Sequence, residues 1–236
     1  MEVLEHCKVY PLAQFYRAGH CDLVVPSGVA ATGAHAPSRV PLSLHLIEHD
    51  FRISELKRRL LLDNIEAGSD TEPHRVLIID TASIWQDTVL NDSRFRDRVC
   101  YVNCPEVLTS EGLVAFLSQL NTAPRQALAR CHPQTRPASL EFRLRGIVID
   151  NVSYLDPRGH GSATVLLRLL RALQTTYGCW FATVSYGLEF YAGVGRAFPL
   201  QTSQSQLYPT MFPIGYLNEM DCVLLRETQT VGRRLK

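Results

Sequence analysis

Short apolar runs alternate along the chain with stretches in which apolar residues recur every three or four positions. Six runs are rich in Val, Ile and Leu and mostly lack alternating polar residues, which is typical of strands covered on both faces. The predicted strands span residues 42–48, 75–80, 99–103, 145–150, 179–184 and 221–226. Because helical patterns separate these runs, the sequence predicts an α/β fold with a mostly parallel central sheet flanked by helices.

The helical stretches have recognisable ends. Asp50 is predicted to cap the first helix, and Thr109 or Ser110 begins the second. A short helix is predicted over residues 124–131, and the longest begins at Ser162 and ends at Gly178. The apolar positions predicted to face the core are 53, 56 and 60, then 113, 116, 117 and 120, and finally 165, 166, 169, 170 and 173.

Three stretches rich in Gly, Pro or small polar residues predict loops, at residues 26–41, 134–139 and 192–213. A loop as long as the last one is usually functional or disordered in a compact domain. The chain shows no internal repeat and no second apolar core. It is therefore interpreted as a single domain over residues 1–236.

Composition excludes several classes of protein. The 236 residues are 46% hydrophobic and their formal net charge is only +1, so the chain is neither disordered nor a generally polybasic nucleic-acid binder. No apolar run reaches the length of a membrane helix, and no secretory signal is expected. Seven scattered cysteines predict buried reduced thiols. Cys100 and Cys104 lack a second Cys/His pair at zinc-finger distance, so no metal site is predicted.

Two of the predicted strands end in aspartate, at Asp80 and Asp150. Nucleotide-binding α/β folds hold magnesium at this edge of the sheet, and the run from residue 147 to 155 resembles the Walker B segment of RecA recombinases. The alternative interpretation is an Asp that only caps a turn at the end of a strand. The pattern by itself leaves both interpretations open.

The phosphate-binding loop that should accompany such a site is absent. The junction from Glu48 to Ser54 contains no glycine and no lysine, and it places Glu48 and Asp50 where a polyphosphate would lie. Residues 80–82 read Asp-Thr-Ala, without the water-positioning Glu of recombinases. Asp50, Asp80 and Asp150 are thus predicted to mark a degenerate, non-functional nucleotide site. With no other catalytic motif, we expect no enzyme activity and no cofactor.

Several blocks of sequence resemble a known family in the same order from residue 1 to about residue 226. They lie at residues 1–4, 9–12, 76–80, 83–85, 144–151, 178–180, 190–191 and 207–210. These blocks are similar to the platinum-sensitivity (Psy-type) subunits of the Shu complex. The block at 144–151 is the most specific, since its eight residues are matched continuously.

The resemblance implies a RecA-like core with a degenerate P-loop and no ATPase function. It implies a heterodimer with a second RecA-like (Csm-type) Shu subunit, and contact with the remaining Shu subunits, the recombinase filament and its paralogues. The implied role is a DNA-binding and assembly subunit that promotes recombinase filament formation in homologous recombination and error-free repair. Single-stranded or junction DNA as ligand, a nuclear location and no membrane association follow from the same resemblance.

One feature departs from this family, where the loop corresponding to residues 192–213 has a cluster of Lys and Arg. Here the loop offers only Arg196. Few cations neutralise few phosphates, so the chain is predicted either to bind DNA more weakly than the family implies or to use other basic residues. These candidates are Arg158, His160, Arg233, Arg234 and Lys236.

Two alternatives remain for the function. The chain is a pure protein scaffold whose partner alone contacts DNA, or it is an ATPase completed in trans, which the acidic residues Glu48 and Asp50 disfavour. Leu61 and Leu62 lie outside the apolar stripe of the first helix and are predicted to be exposed, as part of a partner surface.

Overall fold

The fold was analysed in a computed structural model. The structure describes residues 21–26, 30–31, 42–49, 52–67, 73–139, 142–154, 162–187, 210, 212–226 and 232–234. At residues 30–31, 154 and 232–234 only the backbone is described.

The described strands form one eight-stranded sheet in the order β1-β8-β7-β2-β6-β5-β3-β4. The strands are β1 (Ala30–Ala31), β2 (Ser43–Glu48), β3 (His74–Asp80), β4 (Val99–Val102), β5 (Arg143–Asp150), β6 (Trp180–Tyr186), β7 (Cys222–Arg226) and β8 (Gly232–Arg234). The six strands from β7 to β4 pair in parallel, and only the β7–β8 pair is antiparallel. The predicted fold class is confirmed, whereas the extent of one domain over 1–236 stays a prediction.

Helices cover both faces of the sheet. Within the described residues they are α1 (Glu55–Glu66), α2 (Gln86–Asn91), α3 (Ser93–Arg96), α4 (Ser110–Thr122), α5 (Pro124–Leu128), α6 (Ser162–Tyr177) and α7 (Ile214–Asn218). Short 3-10 turns lie at Pro105–Leu108 and Val152–Tyr154. Helices α1, α2 and α3 pack on one face of the sheet and α4, α5, α6 and α7 on the other, so each face has its own apolar core.

Most predicted helix ends agree with the structure, and one does not. Thr109 caps α4 by accepting a hydrogen bond from the Gly112 amide, and Gly178 ends α6 with a positive φ of 63°. The prediction that Asp50 caps the first helix is wrong. Ser54 is the cap, because its hydroxyl oxygen accepts the Lys57 amide and the helix begins only at Glu55.

Two predictions of exposure are also wrong. Leu61 is 2% exposed, and Leu62 is half-buried against the same core, because α1 packs on the sheet with a wider face than its narrow stripe indicated. Val165, predicted to face inward, is 41% exposed on the first turn of α6. The partner surface expected at Leu61 and Leu62 therefore does not exist as a free apolar patch.

The remaining expectations concern cysteines and membranes. None of the six cysteines in the described residues forms a disulfide, and five of them are buried. Among the helices that the structure describes, none has the length and apolar character of a membrane span.

Candidate functional site

Four charged residues end four strands of the sheet at its carboxyl edge. Glu48 ends β2, Asp80 ends β3, Asp150 ends β5 and Arg226 ends β7. In open α/β sheets the ligand binds in the crevice beyond this edge. All four side chains are buried in this chain, which means that the edge is filled from within.

Glu48 lies where a phosphate-binding loop would turn away from the sheet. Its Oε2 is 2.9 Å from Nη1 of Arg226, and its Oε1 accepts a hydrogen bond of 2.5 Å from the Ser54 hydroxyl. Burial raises the pKa of Glu48, whereas Lys57, Ser54 and Arg226 oppose that rise. The acid predicted at this junction is therefore tied to the cap of α1 and to β7.

Lys57 on α1 is 2% exposed and points at the Asp predicted to resemble Walker B. Its Nζ lies 2.9 Å from Oδ2 of Asp150. The indole N–H of Trp85 donates to the same oxygen at 2.8 Å, and Oδ1 of Asp150 has no hydrogen-bond partner among the described residues. An internal ammonium thus neutralises the carboxylate that the sequence marked as a candidate metal ligand.

Asp80 is saturated with hydrogen bonds. Its Oδ2 accepts the Trp85 amide at 2.7 Å and the Tyr101 hydroxyl at 2.8 Å, while Oδ1 accepts the amides of Ala82 and Ile84, each at 3.2 Å. Burial raises the pKa of Asp80, and the charge of Asp150 adds to that rise against the effect of the hydrogen bonds. No lone pair of Asp80 remains directed at a ligand.

Among the residues that the structure describes, the free space beside these side chains is small. A cavity of about 10 Å³ borders Lys57, Trp85 and Trp180, which is the space of a single water molecule. Within the described residues no cluster of three or more His, Cys, Asp or Glu side chains could hold a metal ion. Within the described part of the chain, these charged side chains neutralise and position one another.

The structure brings together only part of the predicted nucleotide site. Asp80 and Asp150 lie opposite each other on the adjacent strands β3 and β5, as their positions at strand ends predicted. Asp50 lies outside the described residues. Sequence reasoning missed Lys57, although a signal was present: it falls on the apolar stripe of α1, one turn from Leu60 and Leu61, where a lysine must be buried or paired.

The predicted DNA-contacting residues are mostly not described. Arg158, His160, Arg196 and Lys236 lie outside the described residues, and Arg233 and Arg234 are described only as backbone of β8. The structure does describe the residues on either side of these two segments. The segment with Arg158 and His160 follows the turn Val152–Tyr154, and the segment with Arg196 lies between Gly187 and Thr210.

The chain was also compared with known proteins. Residues 7–229 match the family described as Shu complex component Psy3, DNA-binding. The chain is 30% identical over 240 residues to Platinum sensitivity protein 3 of Saccharomyces cerevisiae, covering 96% of this chain and 93% of that protein.

Two solved structures align with 78% of the chain, each with a TM-score of 0.42. One is the cytoplasmic domain of the Thermomonospora curvata Type VII secretion ATPase EccC, at 15% identity, of which the chain covers 19%. The other contains ATPases 2 and 3 of the same EccC in complex with a signal sequence peptide, at 18% identity, of which the chain covers 29%.

Proposed function

Because this chain belongs to the Psy3 family of Shu complex components, we propose that it is a non-catalytic subunit that binds DNA. In this proposal it pairs with a Csm-type RecA-like subunit and joins the remaining Shu subunits in the nucleus. The complex promotes recombinase filament formation on single-stranded or junction DNA, during homologous recombination and error-free repair. Recombinase paralogues and the filament itself are its further partners.

The ion pair between Lys57 and Asp150 is the observation that supports a non-catalytic role. Phosphoryl transfer depends on a cradle, a metal ion and a positioned water, which supply almost all of the electrostatic stabilisation. In this chain the Asp that would hold the metal faces an ammonium of the protein itself at 2.9 Å. A nucleotide in a site completed by a second subunit would also meet Glu48, whose carboxylate is already paired with Arg226.

DNA contact is proposed for residues 192–213 through Arg196, because Arg196 is the only cationic residue in that stretch of sequence. If Arg196 neutralises one phosphate, Arg196→Ala lowers the slope of log affinity against log salt by about 0.7 on single strands and about 0.9 on duplex. The measurement is fluorescence anisotropy of the assembled heterodimer over a salt series. Gln201→Ala is the matched control, since an uncharged contact releases no counterion and leaves the slope unchanged.

A protein scaffold without DNA contact is the second candidate function, and the sparse charge of this loop favours it. Under that function Arg196→Ala changes neither affinity nor slope, and the DNA affinity of the heterodimer equals that of the partner alone. A heterodimer that binds DNA more tightly than the partner, with a slope reduced by Arg196→Ala, contradicts the scaffold.

Heterodimer formation is proposed from the family and not from an apolar patch, since Leu61 is buried. Sedimentation of the chain alone at micromolar concentration tests it. Aggregation or partial unfolding of the chain alone, relieved by the Csm-type partner, is the expected result. A well-behaved monomer that does not associate with that partner contradicts the proposal.

A further inference from the structure

The strands β5, β3 and β4 lie next to one another and begin at the amino edge of the sheet. This edge is about 20 Å from the carboxyl edge described above, since β3 has 7 residues and a strand rises by ~3.3 Å per residue. Arg75 pairs with Leu144, so Arg143 and Arg145 of the neighbouring strand lie on either side of it. The carbonyl of Arg98 accepts the amide of the next residue in β3 at 2.9 Å. Three neighbouring strands therefore bring four arginines to one edge.

A fifth arginine reaches the same edge from the segment that covers β4. Nη1 of Arg75 donates to the Thr135 carbonyl at 3.4 Å, which places Arg136 beside it. Nη2 of Arg136 donates to the Cys131 carbonyl at 3.3 Å. We call the following residues the arginine cluster: Arg75, Arg98, Arg136, Arg143 and Arg145.

The positive charge of the arginine cluster is not compensated by acids. In the described part of the chain, no member of the cluster forms an ion pair with an Asp or a Glu. Arg75, Arg98 and Arg136 donate to backbone carbonyls at 3.3 to 3.4 Å, and a carbonyl carries no net charge. The sequence has the same excess, because residues 124–146 contain five Arg and one Glu. The amino edge at β3, β4 and β5 is therefore a strongly positive surface.

Arg143 has donors for which the fold supplies no acceptor. Its Nε and Nη2 lie beneath the surface without a hydrogen-bond partner, and so does Nε of Arg145. Nε and Nη2 of an arginine are the two parallel donors that bind both oxygens of one carboxylate. Leaving buried donors unpaired costs stability, whereas an apolar side chain of similar shape would not. The two arginines are thus suited to an acceptor that the described residues do not provide.

The depth of these donors favours a carboxylate on a protein side chain as their ligand. Arg143 and Arg145 are both half-buried, and their unpaired nitrogens are covered. A Glu or Asp side chain ends in a small planar carboxylate on a flexible stem, which can reach into such a recess. The phosphate of a nucleic acid is part of the backbone itself and stays on the outside of the protein. Because the guanidinium is planar as well, a carboxylate also matches its two donors in shape.

We propose that the arginine cluster is a docking site for an acidic segment of a partner protein, whose carboxylates bind Arg143 and Arg145. The site lies at the edge opposite the degenerate nucleotide site and does not rest on the proposed DNA contact. Complementary charge, and not an apolar patch, provides the attraction. Binding of the acidic segment therefore weakens as the salt concentration rises.

The test titrates a fluorescently labelled hexaglutamate peptide into the assembled heterodimer and follows its anisotropy. Arg143→Met keeps the apolar stem and removes the donors, so it is expected to bind the peptide at least about tenfold more weakly. Urea unfolding of the same variant should give a midpoint equal to or above that of the wild type, because the unpaired donors are gone. Arg168→Met is the matched control: it removes one exposed cation from α6 and should leave peptide affinity within about twofold of the wild type.

Each outcome decides between explanations. Peptide binding no tighter than about 1 mM in the wild type overturns the proposal, and so does a lower urea midpoint with unchanged peptide affinity, since Arg143 is then purely structural. If Arg143→Met weakens binding of a single-stranded oligonucleotide and not of hexaglutamate, the site takes nucleic acid and the proposal is wrong. If the variant keeps its urea midpoint but no longer assembles with the Csm-type subunit, that subunit supplies the acidic segment and the proposal stands. Should Arg143→Met not fold, Arg145→Met must show the same loss of peptide affinity.

Discussion

Replacing Lys57 with methionine removes the cation beside Asp150 and keeps a side chain of similar length. Both partners are almost fully buried, so Asp150 would retain only the Trp85 indole N–H as a partner. Removing one member of a buried ion pair costs about 3–5 kcal/mol, because the other charge stays in the interior without compensation. For a chain of this length, that loss lowers the thermal midpoint by ~10 °C.

Urea unfolding measures this loss as a shift of the midpoint, provided that the slope of unfolding free energy against urea concentration stays constant. Two further variants are measured alongside. Arg58→Met is the matched control one residue further on: its guanidinium is half-exposed and 3.7 Å from Asp92, so its loss should change stability by no more than about 0.5 kcal/mol. Adding Asp150→Asn to Lys57→Met removes the orphaned charge and should restore about 1–3 kcal/mol.

The loss from Lys57→Met should also depend on pH. Lys57 lowers the pKa of Glu48, so the variant raises that pKa further above its ordinary value of 4.5. A carboxyl whose pKa is higher in the folded state loses stability as pH rises above the unfolded value. The difference from wild type therefore grows only above the pKa that Glu48 has in the folded wild type, which itself lies above 4.5. If Lys57→Met unfolds at the same urea concentration as Arg58→Met, or Asp150→Asn restores nothing, the ion pair does not stabilise this edge.

Three further predictions follow from the described residues. ATP with magnesium at 1 mM should shift the thermal midpoint by no more than about 1 °C, because a dissociation constant no tighter than about 1 mM adds only ~0.4 kcal/mol to the free energy of unfolding. A shift of several degrees contradicts the prediction that the nucleotide site is non-functional. Gly146→Ala should destabilise the chain by about 1–3 kcal/mol, because the new Cβ would lie 2.3 Å from the Trp180 ring. Gly215→Ala is the control in the same urea assay and should be neutral, because open space surrounds its Cβ position. The free energy of unfolding should fall by about 1.4 kcal/mol per pH unit between pH 6.5 and 3, because in this range the His45 ring is protonated only in the unfolded chain. If His45→Gln leaves the dependence of stability on pH unaltered, this prediction is wrong.

The main strands could be predicted because each is buried on both faces. Continuous Val, Ile and Leu runs therefore mark them, and the six predicted strands match β2 to β7 to within two residues. The strands β1 and β8, with two and three residues, are too short to produce a periodic pattern. Asp50 looked like a helix cap only because it precedes the apolar stripe, whereas Ser54 is the residue whose hydroxyl meets the first turn.

The candidate site could be predicted only where a strand end marks it. Asp80 and Asp150 follow apolar runs, so their place at the carboxyl edge was readable from the sequence. The partner of Glu48 is Arg226, 178 positions away, and no local pattern links the two. The buried hydrogen bond between His45 and Ser185 was invisible for the same reason, because the two residues are separated by 140 positions.

The two buried charge pairs at the carboxyl edge explain how this edge of the sheet is stabilised by the chain itself. A nucleotide-binding protein is stabilised at this edge by its ligand, so its stability is linked to ligand concentration. Here Lys57 and Arg226 neutralise Asp150 and Glu48 from within, and the Glu48 carbonyl accepts a hydrogen bond from the Gly187 amide. This edge of the sheet is therefore held by contacts within the folded chain, and its stability should not depend on nucleotide concentration.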